Sequence, residues 1–151
     1  MNFLLLLAFW GCAERDTLAG NWEGEWTCAS KDFNVEAVIS ELETYVYEGE
    51  ILFRYSKPVD DGTFYANILY SFEVTQLLAA GNQDLFFDMS WTDLGCKTIF
   101  DDGTEQKGGC VANGLNTDDY QSDIGDVPIR FDGVERLIID DGNCQGILYR
   151  E

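Results

Sequence analysis

Apolar and polar residues alternate along most of this chain with a period of two, the mark of strands buried on one face. From residue 63 to 76 the even positions Phe64, Ala66, Ile68, Tyr70, Phe72 and Val74 are apolar, while Asn67, Ser71, Glu73 and Thr75 share the other face. Residues 45–55 repeat the pattern on odd positions, with Tyr45, Tyr47, Ile51, Phe53 and Tyr55 against Glu48, Glu50 and Arg54. Leu85, Phe87, Met89 and Trp91 do the same against Asp88, Ser90 and Thr92. Shorter runs predict further strands at 22–28, 35–42, 96–100, 109–113, 127–131, 136–140 and 146–150. No segment carries a helical stripe of any length. The chain reads as all-β.

Asp-Asp-Gly occurs at positions 60–62, 101–103 and 140–142, each time after an apolar-containing run. Asp-Gly tolerates positive φ and signals a tight hairpin turn. A calcium loop needs oxygen ligands at alternating positions, a spacing these triplets lack. Successive hairpins imply an antiparallel meander, and a long meander hides its edges by closing on itself. The expectation for residues 19–151 is therefore a small barrel of about 8–10 strands. Its inward faces are rich in aromatic residues: Trp22, Trp26, Tyr45, Tyr47, Phe53, Tyr55, Phe64, Tyr70, Phe72, Phe87 and Trp91. Such stripes more often fill a core than line a site, so a filled interior stands beside a ligand-lined one as an expectation.

The N-terminus reads differently. Residues 3–10 form an apolar run followed by Gly11, Cys12 and Ala13. The run is far below the roughly 20 residues of a membrane-spanning helix and fits a signal-peptide core. Residues 8–12, Ala-Phe-Trp-Gly-Cys, resemble a bacterial lipobox, with Phe9 and Trp10 bulkier than usual and no basic residue ahead of the run. That resemblance implies a signal peptide over 1–11, acylation of Cys12, a tether over 12–18, and anchoring to a lipid bilayer. Ala13 in place of Asp resembles the pattern of lipoproteins sent to the outer membrane of a Gram-negative envelope.

Cysteine count agrees with this reading. Setting Cys12 aside leaves Cys28, Cys96, Cys110 and Cys144, an even number suited to an oxidising compartment. Four cysteines allow three connectivities. Cys96 and Cys110 flank a turn, whereas Cys28 and Cys144 sit near the two ends of the meander, so Cys28–Cys144 with Cys96–Cys110 is the preferred pattern.

The formal net charge is −19, and every charged residue follows position 12. Such a chain repels phosphate backbones, so no nucleic-acid partner is expected. The absence of histidine removes Ser–His and Cys–His catalytic arrangements and the usual nitrogen ligand of zinc. Acidic pairs can catalyse glycoside cleavage, but nothing among 28 acidic residues marks one pair out. No enzyme, metal or cofactor is expected, and the domain is expected to be a monomer.

Gly20-Asn21-Trp22 resembles the Gly-x-Trp start of the first strand in lipocalins and related calycin barrels. In that superfamily an Arg near the chain end packs over the Trp to close one end of the barrel, a role the resemblance assigns to Arg150. Thr117-Asp118-Asp119-Tyr120 resembles the lipocalin Thr-Asp-Tyr motif with one residue added, and no helix is foreseen before the last strand. The resemblance implies a small apolar or amphipathic ligand in the barrel mouth. A second expectation is an inhibitor or protein-interaction lipoprotein facing a basic partner such as lysozyme, since Trp26-Thr27-Cys28 resembles the aromatic-x-Cys of one such inhibitor family and −19 would steer the encounter. A structural barrel without ligand is the third.

Overall fold

The computed structural model describes residues 17–75, 84–121, 123–132, 135–140 and 142–151. Cys12 and the apolar run before it lie outside the described residues, as does the end of the predicted 63–76 strand.

Nine strands are present among the described residues: β1 (Gly20–Cys28), β2 (Lys31–Glu43), β3 (Val46–Val59), β4 (Gly62–Thr75), β5 (Asp84–Phe100), β6 (Glu105–Lys107), β7 (Ile124–Phe131), β8 (Arg136–Asp140) and β9 (Cys144–Arg150). Eight of them form a closed antiparallel ring. Each of β1 to β4 pairs with the next, β5 pairs with β4 and β7, and β8 and β9 lead back to β1. Closure removes the exposed edges that an open meander would leave. β6 stands outside the ring, paired to β5 alone.

Register explains the alternation in the sequence. Tyr47 faces Val74, Ile51 faces Tyr70 and Phe53 faces Ile68 on the inner side, while Glu48 faces Glu73 on the outer side. The inner side chains form one core running the length of the barrel, and Phe64, Ala66, Cys96 and Leu115 make a smaller cluster at one end.

Four expectations are corrected. The separate strands foreseen at 85–92 and 96–100 are one continuous β5. Trp91 faces Tyr70 but Asp93 faces Leu69, so Thr92 is an extra residue and the inward phase passes from odd to even positions. A bulge of this kind breaks the period and reads in sequence as a strand end. The strand foreseen at 109–113 is a single 3-10 turn, Val111–Asn113. Gly108 and Gly109 adopt φ of 97° and 82° just before it, turning the chain away from the sheet. Tyr45 is no inward strand residue: it sits in the β2–β3 turn at φ 66°. Finally, the first Asp-Asp-Gly turn consists of Asp60 and Asp61, with Asp61 at φ 59°, and Gly62 already belongs to β4. Its glycine is needed because a Cβ there would stand 2.4 Å from the Ile99 carbonyl oxygen.

The described residues also contain two disulfides, Cys28–Cys144 and Cys96–Cys110, with Cα separations of 4.2 and 5.5 Å. The first joins directly opposed residues of β1 and β9. The second ties the segment after β6 back to β5.

Candidate functional site

The two ends of the barrel are built differently. At the end where β1 begins, Trp22 is fully buried and its indole N–H donates to the Leu18 carbonyl at 3.0 Å. Arg150, opposite Trp22 across β1 and β9, lays its guanidinium 4.6 Å from the Trp22 ring centroid. The same guanidinium donates to the Ala19 carbonyl at 2.8 Å and to the Thr17 carbonyl. Phe131 meets Trp22 edge-on with centroids 6.0 Å apart. A cation over an indole face is attracted by the ring quadrupole, so this arrangement plugs the end with a bonded cation instead of a solvated one.

At the opposite end, where β1 finishes at Cys28, the inner layer leaves an apolar cavity of about 70 Å³. Trp26, Phe53 and Tyr70 line it, three of the aromatic residues foreseen as ligand-lining. Edge-to-face contacts fix their rings: Trp26 to Phe53 at 5.0 Å and Phe53 to Tyr70 at 5.9 Å. The other lining residues are not among those foreseen as ligand-lining. They are Phe33, Ile68, Met89, Ile124 and Val127 from the strands, the Cys28–Cys144 pair, and Tyr120 from α1 (Thr117–Tyr120). Ile68 of β4 and Met89 of β5 stand on the alternating inward faces already read from the sequence, and Val127 opens a foreseen strand, so a larger inward set would have included these three. Tyr120 carries no such signal, because its place over the mouth comes from the fold.

The remaining foreseen lining residues stand elsewhere. Phe72 and Phe87 stack on each other at 4.4 Å and fill the interior. Phe64 is fully buried in the small cluster under Leu115. Tyr55 and Trp91 are half-buried and pack against the core. Tyr47 is fully buried, and its hydroxyl has no hydrogen-bond partner among the described residues.

Two phenols shape the mouth. The Tyr70 hydroxyl donates to the Tyr120 carbonyl at 2.7 Å. Burial pushes the Tyr70 phenol up to about 12, with Tyr120 and the Asp123 carboxylate adding to the shift. Burial also raises the Tyr120 phenol, helped by Asp119. Both are neutral at physiological pH and act as hydrogen-bonding groups, not as bases.

A second concavity, of about 700 Å³, lies on the outer face of β2 to β5. Glu48, Glu73 and Asp88 stand in one cross-strand row there, with Glu50 beside them.

No family model, curated protein or solved structure matches this chain. Its class is defined by geometry alone: a closed eight-stranded antiparallel barrel, plugged at one end by a Trp–Arg pair and holding an apolar cavity at the other.

Proposed function

We propose that this chain is an exported lipoprotein, acylated at Cys12, whose barrel binds a small apolar or amphipathic ligand without catalysing a reaction on it. One observation carries the ligand reading: the cavity at the barrel mouth is lined almost wholly by hydrocarbon, sulfur and aromatic rings, with the Tyr70 and Tyr120 hydroxyls the polar exception, and it lies opposite the end plugged by Trp22 and Arg150. An apolar cavity of this sort excludes water and gains by taking an apolar group. At about 70 Å³ it falls far short of the roughly 300–1,000 Å³ of a typical small-molecule site, so it holds the narrow end of a ligand and not the whole of one.

The anchor reading rests on the lipobox resemblance and on the even number of remaining cysteines. Thr17 emerges beside Arg150 at the plugged end. A tether of five residue steps from Cys12 reaches at most about 18 Å at 3.3–3.6 Å per residue. The plugged end would then sit near the bilayer, in the outer membrane of a Gram-negative envelope, with the cavity facing the aqueous side.

Fatty-acid labelling and native mass spectrometry test the two halves. Wild-type protein takes up labelled fatty acid and Cys12→Ser does not. Protein released from the membrane carries a co-purifying amphiphile of low mass. Labelling of Cys12→Ser at the wild-type level refutes the anchor, and failure of every added alkyl amphiphile to bind refutes the ligand.

The acidic row on β3, β4 and β5 favours a second reading, a basic protein such as lysozyme as partner. Like charges opposed across strands repel one another, and a cationic surface would relieve that repulsion. Binding to lysozyme that weakens steeply with salt, by protein free of any amphiphile, would shift the balance to this reading.

A further inference from the structure

The roof of the cavity says more about the ligand than its walls do. Residues 116–121 form a short flap between two fastened points. On one side Leu115 is fully buried against Phe64, Ala66 and Cys96, just after the Cys96–Cys110 disulfide, and its amide donates to the Cys110 carbonyl at 3.0 Å. On the other side the Asp123 carboxylate accepts from the Trp91 amide at 3.0 Å. None of the α1 residues between them is buried. Among the described residues the flap's other hydrogen bonds are internal: the Asp118 amide donates to the Asn116 side chain, the Asp119 amide to the Asn116 carbonyl and the Gln121 amide to the Thr117 carbonyl. Tyr120 makes the contact with the wall: its ring centre lies 6.2 Å from that of Phe33, and its carbonyl accepts from Tyr70. Lifting the flap therefore uncovers the cavity by giving up the Tyr70 bond and the packing of the half-buried Tyr120 ring against the core, and no strand has to open.

The rim is acidic. Asp118 and Asp119 lie on the flap, Asp123 follows it, and residues 116–121 contain no lysine or arginine. Asp119 adjoins Tyr120 in α1, and the Asp123 carboxylate is bonded to the amide of Trp91, the residue opposite Tyr70, so both carboxylates stand near the two tyrosines at the mouth. Across the mouth, Lys31 and Asp32 follow Cys28 in the β1–β2 hairpin and offset one another in charge. An anionic head group held at this rim would meet like charge, whereas a cationic one would be attracted.

We propose that residues 116–121 are a gate, and that the cavity beneath takes the alkyl end of a single-chain amphiphile whose positively charged head group stays among the rim carboxylates. This rests on the ligand reading above and names the ligand's class.

The test titrates the disulfide-bonded protein with decyltrimethylammonium, decyl maltoside and decyl sulfate, each below its micellar concentration, while tryptophan fluorescence is followed. Trp26 lines the cavity and reports its filling. Decyltrimethylammonium is expected to bind at least about tenfold more tightly than decyl sulfate at low salt, as one or two charge contacts at the rim would give. Raising the salt narrows the gap, and Asp118→Asn with Asp119→Asn narrows it further. Tyr70→Phe, which unlatches the flap, speeds association several-fold. Ile124→Phe, which fills the cavity, removes the saturable signal while circular dichroism shows the fold retained.

Equal binding of all three head groups, or tighter binding of the sulfate, overturns the head-group assignment while leaving an apolar site in place. Cationic binding that survives Ile124→Phe in a folded protein is surface adsorption and overturns the proposal. If none of the three binds to wild type, the ligand reading itself falls and this inference falls with it.

Discussion

Trp22 and Tyr47 are both fully buried, yet their polar atoms have opposite fates. The Trp22 indole N–H bonds the Leu18 carbonyl, while the Tyr47 hydroxyl is buried with no partner among the described residues. A buried polar group left unsatisfied costs about 1–3 kcal/mol of desolvation, whereas removing the group restores that loss. Tyr47→Phe is therefore expected to leave the urea midpoint unchanged or raise it, by about 1 kcal/mol of stability. A clear loss of stability would mean that the hydroxyl has a bonding partner after all. The inward position of Tyr47 was readable from alternation alone. The isolation of its hydroxyl was not, because that depends on which side chains of other strands surround it. Arg150 gives the complementary case: its place near the chain end was readable, but the carbonyls of Thr17 and Ala19 that receive its guanidinium come from the far end of the chain.

At the scale of elements, the long regular strands were legible and the irregular ones were not. β3 and β4 keep one inward phase over most of their length, so the pattern found them. β5 changes phase at Thr92, and the same pattern split it in two. The flap has no period to detect, since it is held by Leu115, Cys110 and Tyr120 against residues from three different strands. The disulfides follow the same division. Four cysteines besides Cys12 were readable as two bridges, while the choice among three pairings was made by the register of β1 with β9 and by the turn after β5. Their sequence separations of 116 and 14 residues give an ordering. Loop-closure entropy assigns about 4.7 kcal/mol to a loop near 100 residues and about 3 to one near 15. Replacing Cys28 and Cys144 together by Ala should thus lower stability by more than replacing Cys96 and Cys110, by roughly 1–2 kcal/mol in urea unfolding. The reverse order would show that the flap, and not the closure of β1 on β9, carries the larger share of the covalent stabilisation.

For the molecule as a whole, charge is the dominant surface property. A net −19 on 151 residues repels itself in the compact state, and the row Glu48, Glu73, Asp88 concentrates part of that repulsion on one face. Screening shortens the reach of such repulsion from about 30 Å at 0.01 M salt to about 8 Å at 0.15 M. The melting temperature should therefore rise between those salt concentrations, by roughly 2–8 °C for each kcal/mol of repulsion relieved. A melting temperature that falls over the same range would indicate that attractive ion pairs, such as Arg136 with Asp132, outweigh the repulsion. The sequence by itself determined the strand class, the meander, the inward aromatic set and the two-bridge cysteine economy, because alternation and residue chemistry are local properties that need no partner to be read. Only the tertiary structure decided that the interior is filled except at one end, that Tyr120 roofs the remaining space, and that Arg150 meets Trp22, because each depends on strands folded together from distant parts of the chain: Tyr70 bonds Tyr120 50 positions on, and Arg150 bonds Ala19 131 positions back.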